Sequence, residues 1–220
     1  MAIKFFDCNG FGQIEPSQVW FNRAGMIEAQ CFLDPEKFAD SFPMSAANAQ
    51  AGKIYAENGA FLMVDKPNRI ATIPTKELSD LGYKMGINYS TEKIYNQFTP
   101  GRRNFCMIAG EFLPRIGFIE PGMRICTNTV AWDDESKNET IAGATDSRDL
   151  YDKIKAHLAD ETKKNVPIYA FVTEGSDGKL VIGADVDDAL GNVYAQVTQA
   201  YYNADNTLSF KIMFIEKPEA

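Results

Sequence analysis

Residues 167–185, PIYAFVTEGSDGKLVIGAD, and 193–216, VYAQVTQAYYNADNTLSFKIMFIE, decide the fold. Each stretch reads as two extended runs around a turn. Pro167–Glu174 and Lys179–Ala184 flank Gly175-Ser176-Asp177-Gly178, a strong hairpin signal. Val193–Tyr202 and Thr207–Glu216 flank Asn203–Asn206. Phe210, Ile212 and Phe214 alternate against Ser209 and Lys211, the period of a half-buried strand, while Met213 and Ile215 make the latter half apolar on both faces. Just upstream, Leu150, Ile154 and Leu158 recur at helical spacing, with Asp146 or Ser147 as N-cap. Asp152, Lys153, Lys155, Asp160 and Glu161 fall on the exposed face, and the helix stops before Pro167. The expectation is one helix on a four-stranded antiparallel sheet.

Toward the N-terminus the pattern stays β-rich. Ala60–Val64 and Arg69–Ile73 flank the turn Asp65-Lys66-Pro67-Asn68 and predict a hairpin. Phe105–Ala109 reads as a strand. Arg115–Ile119 and Met123–Val130 flank Glu120-Pro121-Gly122, which predicts another hairpin. Ile27, Ala29, Cys31 and Leu33 share one face of a strand near the end of 19–33, and Asp34-Pro35 opens a short helix near 35–41. Residues 43–59 read as an irregular arm, and Thr75–Leu81 and Ser90–Phe98 as possible helical turns. Short strands at this spacing suggest a small barrel or sandwich over 1–132. The fold class expected is therefore a β-rich α+β chain: a barrel- or sandwich-like part, then the helix on its sheet.

The chain has 220 residues and a net charge of −8, with 45% hydrophobic and 24% charged residues, ordinary values for a globular protein. The charge is uneven. Residues 1–132 carry 13 acidic and 13 basic side chains, whereas 133–220 carry 17 acidic and 9 basic. Six of the seven arginines lie in the first part. This suggests two subdomains, 1–132 and 133–220, with a linker near 133–148, or one continuous domain. It also suggests a head-to-tail device in which an arginine-bearing face meets an acidic face of the next copy. The acidic balance argues against non-specific nucleic-acid or anionic-membrane binding. No signal-peptide core and no long apolar span is present. Cys8, Cys31, Cys106 and Cys126 are separated by 22, 74 and 19 residues, so no zinc or thioredoxin pattern exists and reduced thiols are expected, with Cys31 and Cys106 in the core.

Chemistry-bearing patterns are few. The single histidine, His157, falls on the helix and reads as a packing or surface residue. No nucleophile-elbow, phosphate-loop or dinucleotide motif occurs. Two carboxylate runs remain, Asp133-Asp134-Glu135 and Asp185-x-Asp187-Asp188. Oxygen ligands at alternate positions can hold Ca²⁺, so Asp185, Asp187 and Asp188 are the candidates for a metal, although the EF-hand glycine and closing Glu are missing. A solvated turn is the plainer reading. Arg102 and Arg103, near Phe98, together with Arg115 and Arg124, are candidates for a protein interface.

Residues 112–132, FLPRIGFIEPGMRICTNTVAW, resemble segments of tailed-bacteriophage virion proteins: a Pro-Arg-hydrophobic-Gly stretch, a Gly turn and a strand ending Thr-Asn-Thr. NGAFLMVD at 58–65 and the two closing hairpins are similar too. The resemblance implies a non-enzymatic capsid decoration, cement or minor head protein. It would be made in the host cytoplasm and located in the virion. It would need no cofactor and would bind the major capsid protein or its own copies in a lattice. Loops 42–59, 96–104 and 133–149 would be its contacts. The chain is short for a major capsid protein and shows no long spine helix, which favours an accessory role. A tail, connector or fibre-anchor position is the alternative within the virion. A carboxylate-metal hydrolase or ligand binder is the alternative outside it.

Overall fold

The computed structural model describes residues 2–8, 12–15, 27–28, 31–34, 55–89, 106–108, 115–136, 138–163 and 165–218. The strands are β1 (Ile3–Phe5), β2 (Ile27–Glu28), β3 (Phe32–Leu33), β4 (Tyr55–Glu57), β5 (Phe61–Asp65), β6 (Ile70–Thr72), β7 (Lys84–Asn88), β8 (Cys106–Ile108), β9 (Ile116–Phe118), β10 (Arg124–Thr127), β11 (Val130–Asp133), β12 (Ile168–Val172), β13 (Leu180–Ile182), β14 (Tyr194–Tyr202) and β15 (Leu208–Ile215). The helices are α1 (Lys76–Asp80) and α2 (Ser147–Ala159). The helix expected near 35–41, the turn at 90–98 and residues 43–54 lie outside the described residues.

The C-terminal expectation holds. β13, β12, β14 and β15 neighbour one another in that order, all antiparallel, and α2 packs on β14 and β15. Asp146 caps α2 by accepting from Asp149 N at 2.8 Å. The buried stripe of α2 is Leu150, Tyr151, Ile154 and His157, with Leu158 only half-buried. His157 takes the inner place because both ring nitrogens find partners there: Thr140 Oγ1 at 2.7 Å on Nδ1, and Val166 O at 2.9 Å on Nε2. Nε2–H donates to the carbonyl, which leaves Nδ1 to accept from the hydroxyl.

The sheet does not stop at four strands. β10 adds beside β15, β11 adds in parallel beside β13, and β1 closes the row beyond β11. β10 and β11 are two residues apart in sequence yet sit at opposite ends of a six-strand run. Laid flat, that run would separate them by about 24 Å, at about 4.8 Å per strand. Three peptide units reach only about 11 Å. The sheet therefore curls until its two ends meet at Asn128–Thr129. A bulge between Val197 and Gln199 of β14 adds to the coiling. The Thr-Asn-Thr run is the clasp. Thr127 Oγ1 donates to Gln13 O, Asn128 Oδ1 accepts from Gln13 N, and Thr129 Oγ1 donates to Asn58 O.

Two expectations are corrected here. Glu120-Pro121-Gly122 does not make a hairpin: β9 pairs with β2 and β7 in a second sheet, whereas β10 pairs with β15. The turn passes the chain between sheets, because its backbone bonds are to β15: Gly122 N donates to Phe214 O, and Phe214 N to Met123 O. The single strand expected over 123–130 is two strands, since the run must bend to serve both ends of the curled sheet.

The second sheet has the order β2-β9-β7-β5-β6-β3, and β4–β8 form a separate pair. The 61–72 hairpin forms as expected, its turn held by Asn68 N on Asp65 Oδ1. β5 is buried on both faces: Phe61 and Met63 join the main core, Leu62 and Val64 a second one with Cys31, Leu33 and Ile116. Phe61 packs edge-on against Phe214 of the first sheet at 5.9 Å. The two sheets thus share one core, a sandwich in which one layer is curled. Strands from both sides of Trp132 build the first sheet, and β11 runs across that charge boundary. The polar stretch 133–148 carries Ile141 and Ala144 fully into the core. No helix among the described residues is long and apolar enough to cross a membrane.

Candidate functional site: an acidic groove with an aromatic floor

Alternation along the strands places one set of residues on the outer face of the curled sheet. Directly opposed residues run Phe5–Ala131–Val181–Phe171–Tyr194 across β1, β11, β13, β12 and β14. This face carries its own apolar cluster, with Tyr169, Val186 and Ala189 partly buried against it. A groove of about 430 Å³ opens at one end, lined by Asp133, Glu135, Asn138, Tyr169, Phe171, Gly183, Ala184, Asp185, Val186, Asp188 and Pro218. Tyr169 and Phe171 stack at 5.9 Å with 24° between their planes, and Tyr194 meets Phe171 edge-on.

Local structure explains how the acids arrive. β11 turns Trp132 inward and Asp133 outward, and Asp133 is 8% exposed. Its Oδ1 accepts from Ala2 N at 3.1 Å and from Glu135 N at 3.2 Å. The loop after β11 is then pulled over the end of β13: Ser136 Oγ donates to Gly183 O at 2.7 Å, and Asn138 N donates to Ser136 Oγ. Only glycine fits at 183. Its φ is +82°, and a Cβ there would collide with the Ile141 side chain. Asp185 caps the 3₁₀ turn Val186–Asp188 by accepting from Asp187 N, which sets Asp188 on the rim.

The fold therefore joins the two carboxylate runs. Asp133 and Glu135 from one meet Asp185 and Asp188 from the other, while Asp187 is exposed and outside the lining. Among the described residues no group of three acidic, His or Cys side chains is placed to hold a metal ion, and Asp185 caps the turn that carries Asp187 and Asp188. Sequence reading missed Tyr169 and Phe171. Their alternation with Ile168, Ala170 and Val172 was visible, but it does not tell which face is core. Arg115 and Arg124 are exposed, and Arg124 opens β10. Arg102, Arg103 and Phe98 lie outside the described residues.

A second polar cluster is buried where β4 meets the start of β13. Lys179 Nζ lies 3.5 Å from Glu57 Oε2, both side chains under 5% exposed, and 4.9 Å from the Phe5 ring centroid. Burial pushes the Cys8 thiol up to about 12, with Glu57 adding to the effect, and burial pushes Cys126 up to about 11. Burial also raises the Asp177 carboxyl to about 6, against the lowering pull of Lys179. Such thiols stay protonated near neutrality and are poor nucleophiles.

Comparison with known protein families, with characterised proteins and with solved structures gives no match.

Proposed function

We propose that the chain is a non-enzymatic structural component of a phage virion, a decoration, cement or minor head protein that binds a protein lattice in many copies. The likeness of 112–132 to virion proteins suggests this role. The observation that carries it is the groove, whose stacked rings, four carboxylates and lack of any Lys or Arg among its described lining residues suit a basic side chain of a protein partner. Further support comes from His157, which is committed to Thr140 and Val166, and from the protonated thiols of Cys8 and Cys126. The major capsid protein or another copy of the chain would supply the partner side chain.

Quantitative mass spectrometry of density-purified particles of the encoding virus tests the role. A copy number comparable to that of the major capsid protein supports shell attachment. A number near that of the neck proteins moves the chain to the tail or connector. Absence from the particles overturns the proposal.

A further inference from the structure

We infer that the groove is one half of a head-to-tail contact between copies of this chain, and that Arg124 of a second copy fills it. The inference rests on the multi-copy reading above and adds the partner and the residue. Asp133 is its centre. This carboxylate is 8% exposed, and both of its hydrogen bonds, from Ala2 N and Glu135 N, fall on Oδ1. Oδ2 accepts from no described residue. A donor that reaches Oδ2 from the groove would add a charge-assisted hydrogen bond. Glu135, Asp185 and Asp188 share the groove and raise the negative potential around it. Tyr169, half-buried and stacked on the fully buried Phe171, offers a ring face at its floor. A guanidinium answers both features, since it donates in a fork to a carboxylate and stacks on aromatic rings.

The same chain holds the complement. The whole negative excess lies in 133–220, and the arginines are concentrated in 1–132. Arg124 is exposed on β10. Register places it opposite Met213, which opposes Gln196, which opposes Tyr169 on the groove floor. Arg124 is therefore on the outer face too, but three strands round the curl, about 14 Å from Tyr169. Arg124 is not among the residues that line its own groove. The two halves of the contact are different patches, so a contact in which each copy gives Arg124 to one neighbour and its groove to the other repeats from copy to copy into a ring or lattice.

Two variants at exposed positions separate the halves. Arg124→Glu keeps the groove and loses the arginine; Glu135→Gln/Asp188→Asn keeps Arg124 and weakens the groove. Sedimentation velocity over a concentration series reads the mass, and thermal melts check that each variant is folded. The wild-type mass should rise with concentration and fall back in high salt. Each variant alone should associate about tenfold or more weakly, as for loss of a desolvated charge pair. An equimolar mixture of the two should form pairs at twice the monomer mass and nothing larger, because each has one working half. A wild type that stays monomeric throughout, variants that assemble as well as wild type, or a mixture no heavier than its parts overturns the inference. Capture of a basic peptide without self-association also overturns it in favour of a different partner. The virion reading fails separately: absence from particles sinks that reading, while a self-assembling chain would keep this contact.

Discussion

Gly178 offers a direct test of how the two sheets are joined. It sits in the β12–β13 turn at φ +74°, and its carbonyl accepts from Phe61 N at 2.6 Å. A Cβ at this position would stand 2.2 Å from Phe61 O and 3.2 Å from Phe61 N. These are backbone atoms of a strand buried on both faces, so they cannot yield as a flexible side chain would. Gly178→Ala therefore carries two costs. The left-handed conformation costs an alanine about 1–2 kcal/mol. Displacing the turn leaves the buried Phe61 N–H without its acceptor, which costs about 1–3 kcal/mol. The sum is about 2–5 kcal/mol, and for a chain of this size about 2–4 °C is lost per kcal/mol. Gly82→Ala is the control: φ there is +80°, and nothing lies within 4 Å of the added Cβ. It should show only the conformational cost. Urea unfolding of the three proteins measures the difference. Equal losses for the two variants would refute the claim that the turn is clamped against β5.

Three further outcomes are expected. The Asp177 carboxyl, raised to about 6 in the fold, holds its proton longer than in the unfolded chain, so native stability falls as pH rises from about 4 to about 6. Asp177→Asn removes that titration and tolerates the φ of +54°, so it should gain about 1 kcal/mol at pH 7, after discounting for partial solvent exposure, and nothing at pH 4 in parallel urea titrations. Lys179→Met strands the Glu57 carboxylate at 3% exposure and should cost about 3–5 kcal/mol, while the double variant with Glu57→Leu should recover part of that loss in the same assay. The thiols of Cys8 and Cys126 should not react with an aromatic disulfide reagent at pH 8 until the chain is unfolded, as followed by absorbance.

The sequence by itself determined what is local. Turn chemistry at 175–178 and 203–206, alternation in the flanking runs, and the Asp146 cap before a helical stripe specify two hairpins and a helix, because each rests on contacts a few residues apart. The same is true of the 61–72 hairpin. What the alternation could not decide is which strand lies beside which. Met123–Val130 has the pattern of one strand, yet it is bent at Asn128–Thr129 so that its halves serve opposite ends of the curled sheet; only the pairing with β15 and β13 shows this. His157 gives no sign of its burial in sequence, because Thr140 and Val166 reach it through the loops on either side of the helix. The groove is the clearest case. Asp133 and Asp185 are 52 positions apart, and each stood in a run that reads as a solvated turn. The pairing of β11 with β13, and of β13 with β12, brings them to one groove with Tyr169 and Phe171. Long-range pairing depends on which loops can close and which apolar faces must be covered together, and neither is encoded in any single window of the chain.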